Sequence, residues 1–363
     1  MASNEKTSII LAPAESKKDV IRYSSLKYPT IALKGGHTAE ILSISFNQEG
    51  NVIASAGSDK QILLWNVFGD CENTQVLRPH SRAITTIAWN ANQDSIFSAS
   101  ADRSICLSDI ETGELLDQFD GHEAIVNSIA PTKRTPLMLA SVSDDSTARM
   151  WDTRTEKCVF SMGMKYPMTA VTTLEDGITL LCGGIDNTIH MIDVRNSIEL
   201  ESMDGHKDTI TSLSVSPDGN FLLSNAMDNT LKIWDVRPFS TGSRCKSTIR
   251  GHMHSTEKRL MRSNWMADGN AVAAGSSDGT VVVFDVSSMA SASWTLSTDS
   301  SSSSSSSSLS SSTPQPKTPT IWMRLPGHKG SVTDVIFHPT ESIIASASVD
   351  KQVIIGEFKP MAH

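Results

Sequence analysis

Residues 205–235 read GHKDTITSLSVSPDGNFLLSNAMDNTLKIWD, and this stretch decides the fold of the whole chain. A Gly-His pair at its start places His206, and a Trp-Asp pair at its end places Trp234. Asp228 stands 22 residues after that histidine and six residues before that tryptophan. Short runs of strand-forming residues are separated by turn signals such as Ser216-Pro-Asp-Gly219. The stretch therefore predicts short β-strands joined by tight turns, with almost no helix.

The same spacing returns along the chain with a period of about 42 residues. The histidine–aspartate pairs are His37 with Asp59, His80 with Asp102, His122 with Asp145, His206 with Asp228, and His328 with Asp350. A tryptophan follows at Trp65, Trp151 and Trp234, and two weaker repeats contribute Asp186 and Asp278. Repeats of roughly 40–45 residues with Gly-His and Trp-Asp marks are typical of WD40 β-propellers. Seven such aspartates predict an all-β fold, a seven-bladed WD40 β-propeller.

Some repeats depart from this pattern. The second ends in Ser108-Asp109 in place of Trp-Asp, and the last ends in Ile355-Gly356. The fourth has Met164 where the histidine should stand. In the sixth, 26 residues separate the histidine of Gly251-His252 from Asp278, so about four extra residues lengthen its first loop.

The repeated histidine, aspartate, serine and tryptophan have a structural interpretation, as a hydrogen-bonded chain within each blade. A buried histidine needs partners, because an unsatisfied buried polar group costs about 1–3 kcal/mol. Near-identical copies spread around a ring cannot converge on one substrate, so the pattern predicts architecture rather than catalysis. The residues given this role are His37, Asp59, Trp65, His80, Asp102, His122, Asp145, Trp151, Asp186, His206, Asp228, Trp234, Asp278, His328 and Asp350.

Motifs for catalysis or metal binding are weak. Gly275-Ser-Ser-Asp-Gly279 matches a nucleophile-elbow pattern, but it occupies the same turn as Ala56-Gly-Ser-Asp59. His252-Met-His254 is the only close histidine pair in the sequence, and no third ligand accompanies it. We therefore expect no catalytic residue, no metal and no cofactor.

The ends of the repeat array predict how the ring closes. The last repeat stops after its third strand, at Phe358, while residues 29–34 form a strand with no blade of its own. We expect this N-terminal strand to complete the last blade, which would also cover a sheet edge. The predicted organisation is a flexible tail over residues 1–28, a propeller over residues 29–358, and a disordered Ser/Pro-rich insert over residues 288–319 within blade six.

Composition restricts the partners. The net charge of −9 and the pI near 5.6 disfavour nucleic-acid binding as a primary activity, because phosphate backbones would repel the chain. Neither a signal peptide nor a transmembrane stretch is visible, and the five cysteines lack paired spacing, which favours reduced thiols. Protein partners and no membrane are therefore expected.

The narrow face of the ring is the predicted docking surface. By repeat alignment this face is lined by the residues on either side of each first-strand apolar position and by the residue before each turn aspartate. The predicted interaction residues are Glu40, Leu42, Ile125, Asn127, Asp144, Pro167, Ile185, Thr211, Met227, Arg259 and Met261. Apolar side chains where solvent favours polar groups indicate a docking patch, and this patch comprises Ile125, Pro167, Ile185, Met227 and Met261.

Several idiosyncratic strings go beyond generic repeat marks. They are Ile62-Leu-Leu-Trp-Asn-Val-Phe-Gly-Asp-Cys-Glu-Asn73, Gly183-Gly-Ile-Asp-Asn187, Leu223-Ser-Asn-Ala-Met-Asp-Asn229, Ile233-Trp-Asp-Val-Arg-Pro-Phe239 and Gly251-His-Met-His-Ser-Thr-Glu-Lys-Arg-Leu260. Together they resemble the WD40-repeat 40 kDa family of the U5 small nuclear ribonucleoprotein, a spliceosome component. The resemblance runs from about Ser25 to Phe358, without the serine tract.

This resemblance implies a non-catalytic scaffold in the nucleus that serves pre-mRNA splicing. The implied partners are the large U5 proteins, namely the Prp8-like factor and the Brr2-like helicase, with U5 snRNA reached indirectly. The protein would be a monomer within a large complex. The alternative is a WD40 substrate adaptor of a ubiquitin ligase or a signalling scaffold, which would carry an extra recruitment motif.

Overall fold

The computed structural model describes residues 22–132, 137–240, 242–287 and 319–360. These residues form twenty-eight β-strands in seven antiparallel four-stranded sheets. The first strand of each sheet contacts the first strand of the next, and the seventh sheet contacts the first. The predicted seven-bladed propeller is therefore confirmed. In the described residues, no helix has the length and apolar character needed to cross a membrane.

The strand bounds, blade by blade, follow. Blade one holds β2 (Ile41–Phe46), β3 (Val52–Gly57), β4 (Ile62–Asn66) and β5 (Asn73–Leu77). Blade two holds β6 (Ile84–Trp89), β7 (Ser95–Ser100), β8 (Ile105–Asp109) and β9 (Leu115–Phe119), and blade three holds β10 (Val126–Pro131), β11 (Met138–Ser143), β12 (Thr147–Asp152) and β13 (Lys157–Gly163). Blade four holds β14 (Met168–Thr173), β15 (Thr179–Gly184), β16 (Thr188–Asp193) and β17 (Ile198–Asp204), and blade five holds β18 (Ile210–Val215), β19 (Phe221–Ala226), β20 (Thr230–Asp235) and β21 (Cys245–Arg250). Blade six holds β22 (Ser263–Trp265), β23 (Ala271–Gly275), β24 (Thr280–Asp285) and β25 (Thr320–Pro326), and blade seven holds β26 (Val332–Phe337), β27 (Ile343–Ser348), β28 (Val353–Glu357) and β1 (Thr30–Leu33).

The core lies between blades rather than at the centre of the ring. Each of the seven hydrophobic clusters joins residues of two adjacent blades. Between blades one and two, for example, Ala54 and Ile62 pack with Ile84 and Ile96. A single blade cannot bury both of its faces alone, so stability depends on closing the ring.

Ring closure follows the prediction. β1 pairs antiparallel with β28, from Thr30 opposite Gly356 to Leu33 opposite Val353. Blade seven thus takes three strands from the C-terminal part of the chain and one from the N-terminal part. Pairing removes a free edge that would otherwise be open to aggregation.

The predicted boundary of the flexible tail, at residue 28, lies too far along the chain. Arg22 forms an ion pair with Glu357 at 2.8 Å, and Ser25 bonds the Glu341 carboxylate through its amide and its hydroxyl, both at 2.7 Å. Leu26 is buried in the cluster between blades seven and one. Residues 22–28 therefore belong to the packed propeller, and only residues 1–21, which lie outside the described residues, keep the prediction of a tail. A lone leucine among polar residues gave no periodic signal.

The Ser/Pro-rich insert separates two paired strands. Residues 288–318 lie outside the described residues, but β24 before them and β25 after them are neighbours in blade six, with Asp285 opposite Thr320. The insert thus joins two chain positions that are already close together.

Deleting residues 290–318 is expected to raise the free energy of unfolding by no more than about 2 kcal/mol, because each doubling of loop length costs only about 0.6 kcal/mol. Thermal unfolding and soluble yield measure this. Deleting residues 22–28 is the comparison, because it removes the buried Leu26 and should destabilise the ring. A large loss of soluble protein on removing the insert would show that it packs on the propeller.

Candidate protein-interaction surface

A complete hydrogen-bonded chain runs through blade five. The Asp228 carboxylate accepts from Nδ1 of His206 at 3.2 Å, which places the ring proton on Nδ1. Nε2 then accepts from the Ser224 hydroxyl at 2.6 Å, and Ser224 accepts from Nε1 of Trp234 at 2.8 Å. Blades one and three repeat this chain, through His37, Asp59, Ser55 and Trp65 and through His122, Asp145, Ser141 and Trp151.

The aspartates of these hydrogen-bonded chains are held as carboxylates by several hydrogen-bond donors. Burial by itself would raise the pKa of Asp145, but hydrogen bonds from Thr147, His122 and the Glu123 amide outweigh it and lower the pKa to about 2. The pKa of Asp102 is lowered to about 2 in the same way, against burial and by hydrogen bonds. These histidines and aspartates are committed to partners inside their own blades, which agrees with the structural role predicted for them.

Blades two and seven keep the chain without its tryptophan. His80 bonds Asp102 at 3.0 Å and Ser98 at 2.9 Å, and His328 bonds Asp350 at 3.0 Å and Ser346 at 2.9 Å. Ser108 and Gly356 stand at the tryptophan positions. The chain therefore ends at the serine in these blades.

Blade four replaces the missing histidine from another strand. Asp186 pairs with Nε2 of His190, which lies on β16, at 2.8 Å, and Nδ1 of the same ring bonds Glu199 at 2.7 Å. The hydrogen bond that His190 donates to Asp186 raises the pKa of His190, against burial and with help from Glu199. Met164 packs instead into the cluster between blades three and four. The turn aspartate keeps an imidazole partner, but not from the loop that the repeat alignment indicates.

Blade six has no such chain, so the role predicted for Asp278 is wrong. Its carboxylate accepts from the amide and hydroxyl of Thr280, at 3.0 and 2.7 Å, and from no histidine among the described residues. Ala274 and Phe284 occupy the serine and tryptophan positions and cannot continue a chain. His252 turns away and bonds Asn225 of blade five at 2.9 Å.

The buried His252 and the half-buried His254 share that one asparagine. Nε2 of His252 and Nε2 of His254 each lie 2.9 Å from Oδ1 of Asn225. An amide oxygen only accepts, so both rings carry their proton on Nε2. Neither Nδ1 has a hydrogen-bond partner in the described residues. Protonating either ring would create a buried N–H without an acceptor.

Acid is expected to destabilise the fold through this pair. Burial lowers the pKa of His252 to about 3 and that of His254 to about 4, from 6.5. Because both folded values lie below the unfolded value, this contribution to stability is complete above about pH 6.5 and is lost as the pH falls towards 4. At pH 5 each histidine should cost about 2 kcal/mol. Urea unfolding at pH 7 and pH 5 measures the loss.

The variant His254→Gln should reduce the difference between the two pH values, whereas His190→Gln should not, since the pKa of His190 is raised rather than lowered. An unchanged pH dependence in His254→Gln would contradict this account.

Several predicted docking residues instead tie neighbouring blades together. The side chain of Asn127 donates to the Met168 carbonyl of the next blade at 2.8 Å, and Thr211 donates to the Met261 carbonyl at 2.8 Å. Equivalent bonds come from Thr85, Thr169 and Thr333. Asn127 and Thr211 are buried, so their prediction as docking residues is wrong. Short polar side chains at this position satisfy backbone carbonyls that face the next blade.

The predicted alignment of blade six is displaced by one residue. Met261 is fully buried, at the position held by Ile41 or Ile210 in other blades, and is not a docking residue. Ile210 lies four positions after His206, whereas Met261 lies nine positions after His252, so the loop has five extra residues rather than four. The residue that faces the central channel is therefore Arg262.

Arg262 reaches across the channel. Its guanidinium donates to the Ser43 hydroxyl at 2.6 Å and to the Thr85 carbonyl at 2.9 Å, and it lies 3.6 Å from the Asp334 carboxylate. Asp334 in turn accepts from the Ile44 amide at 2.9 Å. Side chains of blades six and seven are thereby joined to blades one and two around the seam of the ring.

Arg259 and Glu40 form a second link across this seam. Arg259 of the long blade-six loop pairs with Glu40 of blade one, and also with Glu257 at 2.6 Å. Ser58 donates to the other oxygen of Glu40 at 3.1 Å. Both predicted docking residues are thus engaged within the protein.

Most of the predicted residues that remain accessible lie over blades three to five. Ile125 is 38% exposed and Ile185 is 49% exposed, and Asp144 is also exposed. Pro167, Met227 and, on blade one, Leu42 are half-buried. Tyr166, 43% exposed beside Pro167, was not predicted, although it lies one residue before an aligned position. We call Ile125, Tyr166, Pro167, Ile185 and Met227 the apolar sector.

The fold and this surface define a class. The chain matches the family model of the WD domain, G-beta repeat, over residues 29–66, 71–109, 113–152, 198–235, 243–285 and 320–355. The unmatched residues 153–197 include Met164 and most of the fourth blade, where the repeat is weakest. The protein is a WD40-repeat β-propeller with a narrow face that presents apolar side chains.

Relatives give the particular family. The chain is 42% identical over 340 residues to the U5 small nuclear ribonucleoprotein 40 kDa protein of Dictyostelium discoideum, covering 93% of this chain and 87% of that protein. It is 40% identical over 338 residues to the human protein of the same name, covering 93% and 86%. It is 39% identical over 336 residues to the pre-mRNA-splicing factor cwf17 of Schizosaccharomyces pombe, covering 93% and 89%. The chain belongs to the family of U5 small nuclear ribonucleoprotein 40 kDa WD40-repeat proteins.

Proposed function

We propose that this protein is a non-catalytic scaffold of the U5 small nuclear ribonucleoprotein that acts in pre-mRNA splicing in the nucleus. The observation that carries the proposal is the identity of about 40% to U5 40 kDa proteins along 93% of the chain. The splicing factor of fission yeast, related over the same share of the chain, supports it.

The chemistry of the site supports binding rather than catalysis. Histidine, aspartate and serine occur together in five blades, but each set bonds within its own blade. A catalytic group must reach the substrate, and the serines of these sets are buried inside their blades. The accessible side chains of the apolar sector are suited to a docking site.

We propose that the apolar sector contacts the large U5 proteins, namely the Prp8-like factor and the Brr2-like helicase. U5 snRNA would be reached through these proteins, because the chain carries a net charge of −9. The protein would take part as a single copy within the assembly.

Affinity purification of the tagged protein, with mass spectrometry and sequencing of the bound small RNAs, tests the proposal. Recovery of U5 snRNA with large splicing proteins is expected. Recovery of cullin-type ligase subunits without U5 snRNA would instead support the adaptor alternative.

Charge placed on the apolar sector is expected to release partners without unfolding the protein. The double variant Ile185→Glu with Met227→Glu places two carboxylates where apolar side chains are accessible, and co-purified U5 proteins should fall about tenfold or more. The pair Leu115→Glu with Leu116→Glu, at 48% and 50% exposed positions on the outer strand of blade two, is the matched control. Retention of partners by the first variant would place the interface elsewhere.

A further inference from the structure

A groove on the narrow face lies between blades two and three. It has a volume of about 700 Å³, and its walls include Arg82 and Arg103 on one side and Ile125 on the other. Arg82 comes from the loop before β6, and Arg103 from the turn after β7. Blade two is the one blade whose loop and turn at this face, within the described residues, both carry an arginine.

The two guanidinium groups make no hydrogen bond or ion pair with the described residues, and both side chains are exposed. Arg103 is fixed in direction by its backbone, since φ is +78° and its amide bonds the Ser100 carbonyl at 3.2 Å. The equivalent turn residue has a positive φ in every blade, so the turn itself is an element of the fold. Arg103 is thus an unpaired cation on a rigid support.

Two carboxylates also line the groove, but other residues use them. Asp102 accepts from His80 at 3.0 Å and from Ser104 at 2.7 Å. Asp144 accepts from Asn127 at 2.7 Å. Neither forms an ion pair with the arginines, which therefore keep their donors for a group from outside.

Ile125 adds an apolar wall held on a rigid backbone. Its carbonyl accepts from the Asp144 amide at 3.0 Å, and its side chain is 38% exposed. A guanidinium binds a carboxylate through two parallel N–H donors, and it does so more strongly beside a surface that excludes water. The groove thus offers two planar anion sites next to one apolar contact.

We propose that this groove binds an acidic peptide segment of a protein partner, with Arg82 and Arg103 pairing with its carboxylates and Ile125 contacting a neighbouring apolar residue. The proposal rests on the proposed function as a protein-binding scaffold and names the chemistry of one partner segment. Charge complementarity selects carboxylates, since each arginine presents donors and no acceptor.

Binding of a short fluorescent peptide of alternating Glu and Leu to the full-length protein tests the proposal. The double variant Arg82→Gln with Arg103→Gln should bind about tenfold more weakly, and wild-type binding should weaken as salt rises. The control pair Lys329→Gln with Lys351→Gln removes the same charge from the narrow face of blade seven. It is closely matched, because Lys351 has the same left-handed turn position as Arg103, with φ of +69°. Wild-type affinity is expected in this control.

Equal weakening in both pairs, or equal binding of a peptide with Gln in place of Glu, would overturn the proposal. Binding of a phosphoserine peptide without binding of the glutamate peptide would also overturn it. So would self-association of the wild-type protein, if the arginine variants abolished that self-association. The titration needs no splicing protein. Failure of the tagged protein to recover U5 components would therefore contradict the proposed function separately, whatever the peptide does.

Discussion

Asp228→Ala is expected to lower the free energy of unfolding by about 3 kcal/mol. The variant removes the acceptor for His206, for the Lys207 amide at 2.9 Å, and for the amide and hydroxyl of Thr230 at 3.0 and 2.6 Å. His206 is buried, so its Nδ1 proton would be left without a partner and the chain through Ser224 to Trp234 would lose its anchor. Urea unfolding monitored by tryptophan fluorescence measures the change.

Asp278→Ala is the matched control for this prediction. It removes the turn aspartate at the equivalent position of blade six, which accepts from Thr280 and from no histidine among the described residues. Its cost should be about 1 kcal/mol or less. Equal losses in the two variants would show that the turn, rather than the histidine chain, carries the effect.

The same chains predict a second loss of stability in strong acid. The pKa of Asp228 is lowered, against burial, by hydrogen bonds from His206 and Thr230, and those of Asp102 and Asp145 are lowered to about 2. A folded pKa below the unfolded value near 3.8 stabilises the protein above about pH 4. This contribution is lost as the pH falls from about 4 towards 2, whereas most of the loss through His252 and His254 occurs between about pH 6.5 and 4. Asp228→Ala should therefore show a smaller loss than wild type across that lower window.

Arg262→Met is expected to lower the free energy of unfolding by about 3 kcal/mol. Methionine retains much of the volume of the side chain but leaves the Asp334 carboxylate, which is 5% exposed, without its cation. Ser43 and the Thr85 carbonyl lose their donor as well. Because these bonds join four blades around the seam, thermal unfolding should begin at a lower temperature.

Adding Asp334→Asn to Arg262→Met should recover part of the loss, because the second change removes the unpaired charge. Arg154→Met is the comparison, because it breaks an ion pair at the surface: Arg154 pairs with Asp152, and the arginine side chain is 68% exposed. Loss of this ion pair should lower the free energy of unfolding by less than about 1 kcal/mol. If the double variant were no more stable than Arg262→Met alone, the buried charge would not be the cause.

The repeat period predicted most of the fold, and the reason is physical. A strand buries alternate side chains, and a turn needs particular residues, so blades leave a periodic mark that needs no tertiary information. That mark was sufficient for the blade count and for ring closure by residues 29–34. The repeat pattern could not predict contacts that occur only once in the fold. Leu26 is an example, because its burial depends on the packing of the N-terminal part of the chain against the C-terminal part.

The docking surface was predicted less well. The alignment located Ile125 and Ile185 correctly on an exposed face, but it could not separate them from Asn127 and Thr211, which are buried. Ile125 and Asn127 stand on either side of the same first-strand residue, Val126, and only the distance to the next blade decides whether such a side chain meets a carbonyl or solvent. In blade six one unrecognised extra loop residue moved the alignment from Arg262 to Met261.

The sequence by itself determined the class of fold, the number of blades and the family, because those depend on patterns repeated in every blade and on strings shared with relatives. The tertiary structure alone decided which histidine serves Asp186, why His252 and His254 meet at Asn225, and which surface residues are free. Those outcomes depend on contacts between blades, where residues far apart in the chain compete for the same donor or acceptor. The sequence around each residue does not show which distant residue will form the bond.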